Sequence, residues 1–249
     1  MNRAATIPNQ SVHDMVTFDL LVDGNALDSS YQVIAISVMK EVNRIPSATI
    51  TLRDGEAADG EFALSNSGDF VPGKAIIVKV GLDSDNTTVF AGIIVKHRIR
   101  VRESGESVLI VECRDKCVRM SVGRHNRYFE NIKDSDVMEQ LIGKYKGLEK
   151  DVEATNLQHA ELVQHHCTDW DFLLLRAEVN SRLVIVDDGK VQVKKPDTGA
   201  KPVLSVAYGT TLLEFEAEMD ARTQWRSVEA QAWDYSNQDM FIRLSLIHI

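Results

Sequence analysis

Few stretches of this 249-residue chain place reactive side chains at a spacing that would do chemistry. Gly68 to Ala75, GDFVPGKA, comes nearest to a phosphate-binding loop. It departs where the chemistry would be decided. Ala75 stands where a Ser or Thr would hold magnesium. Pro72 removes a backbone N–H from a loop that works by presenting them. AIIVKV after Lys74 has strand texture where a helix N-terminus is required. The segment reads as a turn entering a strand. His159, His165, His166 and Cys167 lie close together, and Cys113 and Cys117 are four residues apart. Structural zinc is held by two close ligand pairs, a spacing missing here. No cysteine sits in a nucleophile signature, and neither a Gly-x-Ser-x-Gly elbow nor a His-Glu-x-x-His motif occurs. Asp169 and Asp171 precede an apolar run, where negative charge suits the positive end of a helix dipole. With Glu178 they are expected to cap and pack, not to exchange protons. Trp170, Trp225 and Trp233 fall in helical or alternating contexts, so core or subunit-interface packing is expected of them rather than a carbohydrate site. The expectation is a non-enzymatic protein with no catalytic, cofactor-binding or metal-binding residue.

Composition narrows the class further. A hydrophobic content of 44% and a charged content of 26% are ordinary for a globular protein. The formal net charge is −9, from 28 basic and 37 acidic residues. A general phosphate-binding face is therefore not expected, and no nucleic-acid partner is assigned. No apolar run approaches the ~20 residues that span a bilayer. The opening MNRAATIPNQSVHDM lacks the apolar core of a secretory signal, so synthesis and assembly in the cytoplasm are expected. Three cysteines are an odd number and suggest reduced thiols used as small packing residues.

The elements that would position these residues are mostly strands. Val16–Val22, Tyr31–Lys40, Ala48–Leu52, Lys74–Leu82, Thr87–Val101 and Val108–Cys113 are rich in β-branched residues or alternate apolar with polar. Asp23-Gly24-Asn25, Asp54-Gly55 and Ser104-Gly105 supply turns. An acidic loop is expected over Glu56–Asp69. Thr87–Val101 is long enough to require a bend, expected at Gly92. After Cys113 the texture changes. Lys116–Gly123 predicts a helical turn and Asp134–Tyr145 an amphipathic helix, while Asp151–His166 fits either class. Thr168 then caps a helix running from Asp169. Trp170, Leu173, Leu174 and Ala177 line one face of it, with Phe172, Leu175 and Val179 on a second, so the helix is expected to be largely buried. Leu183–Val186, the turn Asp188-Gly189 and a return strand through Val191 and Val193 predict a hairpin. Val203–Tyr208, Leu212–Met219 and Trp225–Trp233 predict three further strands.

Several segments, in order, resemble a known family. Val42-Asn43-Arg44-Ile45-Pro46-Ser47-Ala48, Phe70-Val71-Pro72-Gly73 before a strand, Phe90-Ala91-Gly92-Ile93-Ile94 and Arg127-Tyr128-Phe129 before a helix are four of them. Asp169-Trp170-Asp171-Phe172-Leu173 with Arg176-Ala177-Glu178 is the most characteristic. Tyr208-Gly209 and Val228 to Trp233-Asp234 complete the set. Together they resemble the N-terminal hub region of VgrG proteins, the spike components of type VI secretion systems, which is similar in turn to the tail hub of contractile phages. Asn180 stands where that family often has Gly.

The resemblance implies a mainly β fold with a few helices, built as two tail-tube-like β-barrels. A flexible tail would cover 1–11, the first hub barrel 12–125, the second barrel with its helices 126–200, and strands completing the barrels 201–240. Residues 241–249 do not resemble the family's continuation and are expected to mark a truncation. The implied function is a structural hub joining a sixfold tube to a threefold spike. Its implied partners are two further copies in a homotrimer, an Hcp-like tube ring, a spike or needle, and effector cargo. The machine would puncture a target membrane without this chain being an integral membrane protein. The chain would be injected or secreted without a signal peptide. A cell-wall hydrolase and an unrelated binding module remain as alternatives.

Overall fold

The computed structural model describes residues 15–55, 60–102, 107–202, 204–212, 214–220, 222, 227–235 and 237–246. They divide into two units, one within residues 10–200 and one containing residues 201–249.

The larger unit begins with β1 (Val16–Val22), β2 (Asn25–Ala26), β3 (Val33–Met39), β4 (Ser47–Arg53), the single-turn helix α1 (Ala63–Asn66), β5 (Ala75–Leu82), β6 (Asp85–Arg100) and β7 (Val108–Arg114). The seven strands form one antiparallel sheet in the order β2-β1-β5-β6-β7-β4-β3. Alternation does the sorting. In β4, Ala48, Ile50 and Leu52 are buried while the residues between them are not, as a two-residue period demands of a sheet with one covered face. They join Ile76, Val78, Phe90, Ile94, Leu109 and Val111 in a single core. Turn residues with positive φ reverse the chain at Asp23-Gly24 and Asp83-Ser84.

The mainly β class agrees with expectation, but closure into a barrel does not. β3 and the β1–β2 end stand at opposite edges, and no ladder joins them among the described residues. The helix α1 interrupts the expected acidic loop, its first N–H groups held by the buried Asp54 carboxylate at 3.0 and 2.9 Å. The Ser104-Gly105 turn lies outside the described residues.

A second core follows. A 3₁₀ turn (Lys116–Ser121) leads to β8 (His125–Lys133), α2 (Asp134–Gly143), β9 (Glu149–Val152), β10 (Gln158–Cys167), α3 (Asp169–Val179), β11 (Leu183–Asp187) and β12 (Lys190–Lys194). β8 pairs with β10, and β9 joins the β11–β12 hairpin in parallel with β12. Val137, Met138, Leu141 and Ile142 of α2 meet Trp170, Phe172, Leu173 and Ala177 of α3 over the hairpin's Val184, Val186, Val191 and Val193. Of the ambiguous Asp151–His166 stretch, Asp151 and Val152 end β9 and Gln158 onward is the strand β10, fixed by its ladder to β8. The helix α3 is less buried than its sequence predicts. Leu175 and Val179 are 53% and 67% exposed, so its second apolar face is open beyond the buried Phe172.

The second unit contains the hairpin β13 (Ser227–Asp234) and β14 (Asp239–Leu246), with Ser227 opposite Leu246. Two of the three strands expected here are not formed. Among the described residues, 204–208 and 212–219 without 213 have no ladder, only an isolated bridge between Tyr208 and Leu212; Val203 and Leu213 lie outside the described residues. Alternation is necessary for a strand but a hydrogen-bonded neighbour makes one. β13 accounts for the third; Trp225 lies outside the described residues. The closing segment that matched no family pattern supplies β14 from Asp239, and residues 247–249 are not described.

Gly92 lies where β6 hands over from β5 to β7, with register shifts on both sides. A Cβ there would lie 2.2 Å from the Arg114 carbonyl oxygen, a backbone contact that cannot swing away. Gly92→Ala is expected to cost about 1–3 kcal/mol, lowering the midpoint of thermal unfolding by about 2–10 °C, read by circular dichroism.

Candidate functional site

The signature helix α3 begins with a carboxylate that the sequence assigned to capping and packing. Asp169 is fully buried. Its oxygens accept from Gln164 Nε2 at 2.8 Å and Tyr145 Oη at 2.9 Å, and it is ion-paired with Arg127. Arg127 also donates to Gln164 Oε1 at 3.0 Å. Burial pushes the Asp169 carboxyl upward, but the bonds from Gln164, Arg127 and Tyr145 outweigh it and hold the pKa below the ordinary value. Tyr145 moves the other way, to about 12, through burial and then through Asp169.

A second carboxylate is held in the same manner at the start of α2. Asp134 is 1% exposed. Arg176 Nε lies 2.5 Å from Oδ1, and His159 Nε2 and Asn180 Nδ2 lie 2.8 and 3.0 Å from Oδ2. Burial opposes ionisation, yet Arg176, Asn180 and His159 bring the pKa down to about 2. Asn180 also donates to the Arg176 carbonyl at 2.8 Å. The side chain that departs from the family's Gly therefore ties α3 to α2.

These clusters have the wrong electrostatics for acid–base catalysis. A general acid or base needs a pKa near the working pH and access to substrate. Both carboxylates are buried, and their pKa values are depressed. They act as struts between α2, α3 and the β8–β10 ladder.

The other sequence candidates are dispersed. Cys113 belongs to the first core and Cys117 to the second. Burial pushes both thiols up, Cys113 to about 12, far from the thiolate a nucleophile requires. His159 is committed to Asp134, and His166 sits at the irregular end of β10 with φ 45°. Among the described residues no group of three or more His, Cys, Asp or Glu is placed to hold a metal. Gly73, with φ 101°, leads directly into β5, so the loop-like Gly68–Ala75 segment has no helix behind it. Trp170 is buried in the second core, whereas Trp233 is half exposed on β13. Asp171 donates its N–H to the Thr168 hydroxyl at 3.0 Å, the expected cap.

Two further signature segments, 42–48 and 90–94, contribute to a seam between the two cores of the larger unit. Asn43, with φ 60°, donates its N–H to the Val184 carbonyl at 2.7 Å and accepts the Val184 N–H on Oδ1 at 2.8 Å. Asp188 accepts from the Ala91 N–H at 2.9 Å and from Lys40 Nζ at 3.2 Å. Lys40 is also paired with Asp187. The buried Asp115 accepts the N–H groups of Cys117 and Gly189, each at 2.8 Å. Beside this seam Met39, Asn43, Arg44, Arg114, Trp170 and Leu174 line an open groove of about 490 Å³. Sequence reasoning missed Arg127, Tyr145, Gln164, Asp134 and Asp115, because their partners lie far away along the chain. One signal was present: Arg127 and Asn43 both fall inside family motifs with no chemistry to explain them.

Comparison with known proteins places this arrangement. The family model described as the Alg8 N-terminal domain matches residues 12–244. The chain belongs to that family. No curated protein matches it significantly. Solved structures share the fold at low identity. A tail protein from Neisseria meningitidis is 14% identical with a TM-score of 0.66, covering 92% of this chain and 67% of its own. The 43 kDa tail protein of a Shewanella oneidensis prophage is 13% identical with a TM-score of 0.54, covering 72% and 53%. An E. coli protein is 12% identical with a TM-score of 0.53, covering 87% and 56%. It is described as a component of the type VI secretion system with structural similarity to the T4 phage tail proteins gp27 and gp5. The chain spans about half to two thirds of these proteins' lengths. The fold is thus that of phage tail and type VI secretion structural proteins.

Three outcomes are expected of the struts and the seam. Arg176→Met keeps much of the volume and leaves the Asp134 carboxylate unpaired, so it should cost about 3–5 kcal/mol in urea unfolding. The wild-type contribution of Asp134 has a defined pH window. Its folded pKa, about 2, lies below the ordinary 3.8. The stability it adds is therefore complete above pH ~4 and is lost as pH falls towards ~2, amounting to about 2 kcal/mol. Unfolding midpoints measured across that range should fall less steeply in Asp134→Asn. Separately, Asn43→Ala keeps the backbone bond to the Val184 carbonyl but removes the Oδ1 acceptor of the Val184 N–H and puts a less tolerant residue at φ 60°, and should cost about 1–3 kcal/mol in the same assay.

Proposed function

We propose that this chain is the structural hub of the puncturing spike in a contractile injection machine, of the type VI or phage-tail-like kind. In this reading it is non-enzymatic. Three copies form a homotrimer that joins a sixfold Hcp-like tube ring to a threefold spike or needle, with effector cargo carried by the assembly. The hub modules are residues 12–125 and 126–200. Two modules per chain in a trimer offer six similar surfaces, which is how a threefold body can match a sixfold ring. The chain assembles in the cytoplasm and is then injected. Among the described residues no helix is long and apolar enough to cross a membrane.

One observation carries the reading: the fold shared with a tail protein over 92% of the chain at a TM-score of 0.66. The buried, ionised carboxylates support it too, since they stiffen a body that must transmit load and are poorly placed to transfer protons. The test is to express the chain with its spike and the tube protein. Size-exclusion chromatography with light scattering should give three copies of this chain, and electron microscopy a six-lobed ring against the tube. A monodisperse monomer that ignores the tube protein would overturn the assignment.

A further inference from the structure

The sheet face turned away from the first core has an unusual charge. Along β4 and β7 the core takes Ala48, Ile50, Leu52, Leu109, Val111 and Cys113. The residues between them therefore share the opposite face. The ladders extend that face across four strands: Ser37 lies opposite Thr49, Thr49 opposite Glu112, and Glu112 opposite Lys96. Ala35, Thr51, Ile110 and Arg98 form the next row, and Arg53, Val108 and Arg100 the one after. Arg114 stands at the other end, opposite Ser47. The face thus presents Arg53, Lys96, Arg98, Arg100 and Arg114. Glu112 is the one acidic residue on β3, β4, β7 and the 95–100 half of β6. It lies 3.3 Å from Lys96 and 3.7 Å from Arg98. Between these cations lie Ala35, Ser37, Ser47, Thr49 and Thr51, with the apolar Val108 and the buried Ile110 among them. A cationic plateau of this kind stands out in a chain of net charge −9.

The edge of the same sheet is open. β3, VIAISVM, has no charge and no proline, the residues that commonly keep an edge strand from pairing with another chain. Ile34 and Met39 on it are 52% and 55% exposed. Met39 and Arg114 also line the groove at the seam, so face, edge and groove are continuous.

We infer that the cationic outer face and the β3 edge together bind a second copy of this chain. This rests on the trimeric reading above and names the surface it would use. Charge complementarity selects the occupant. The chain is acidic as a whole but cationic here, so another copy offers the opposite sign over most of its remaining surface. Such a contact is heterologous, one patch on a different patch, and heterologous contacts close into rings when the rotation allows. Four strands ~4.8 Å apart and about six residues long give roughly 400 Å². A stable contact needs about 800 Å² per partner, so the edge and groove must contribute alongside the face. Nucleic acid fits less well, because no aromatic side chain interrupts these strand segments to stack a base.

Sedimentation velocity over a concentration series, at low and high salt, tests the contact on the full chain. Two variants at exposed positions separate its parts: Arg98→Glu with Arg100→Glu on the face, and Ile34→Lys with Ser37→Lys on the edge. Thermal melts check that each folds. The wild type should self-associate, more weakly at high salt, and either variant should weaken association at least about tenfold. Association that ignores both variants would overturn this contact and leave the trimeric reading standing. A wild-type chain that stays monomeric at every concentration and salt would overturn the contact and count against the trimer as well. Salt-sensitive retention of a DNA oligonucleotide by the monomer, lost in the face variant, would also overturn it and assign the face to a polyanion.

Discussion

The Asp115 carboxylate holds the larger unit together at its most exposed topological point. The chain leaves the first sheet at Arg114 and enters the second core by Cys117, and Asp115 is the fully buried residue between them. Its oxygens take the N–H groups of Cys117 and of Gly189, 74 residues apart from Asp115 along the chain in the second case. Its own N–H goes to the Pro46 carbonyl at 3.0 Å. Three segments remote in sequence thus meet on one residue. Burying a carboxylate is costly unless donors surround it, so the site specifies which turn docks there. The Asp188-Gly189 hairpin meets that demand. Gly189 has φ 90°, and a Cβ on it would come 3.3 Å from the Gly147 carbonyl oxygen.

Polar contacts at the seam complement the apolar packing inside each core. The two cores have separate memberships, with Asn43, Lys40, Asp187, Asp188 and Asp115 working in the space between. Apolar contact is non-directional and tolerates sliding. Hydrogen bonds to backbone groups fix register and orientation. Joining the two halves in the second way fixes one geometry between them.

The sequence revealed local order well and distant partnership poorly. The strands of the first sheet were legible where one face is buried, so alternation survives in β4 and β5, and β7 was legible as a short apolar run. The Asp188-Gly189 turn was legible because few dipeptides accept two positive φ values. Barrel closure was not legible, since it depends on which edges meet. Leu212–Met219 alternated correctly and still formed no strand, for want of a neighbour. Asp169 shows the same limit at the site. Its place before an apolar helix predicted a capping and packing role, while its partners Arg127, Tyr145 and Gln164, brought from elsewhere, could not be read from the sequence.

The parallel pair β9–β12 has a consequence for how the second core comes into being. Antiparallel neighbours such as β11 and β12 can zip from a turn, whereas Glu149 meets Lys190 only across the whole of β10, α3 and β11. That pairing must wait until the intervening chain has found its place, because the entropy of closing so long a loop is lost before any ladder bond is gained. The second core should therefore be acquired late and in one step during synthesis, with β9 held in reserve until the hairpin has emerged from the ribosome. Until then the apolar side of α2 has nothing to cover it, a brief interval in which the newborn chain is most open to mispairing.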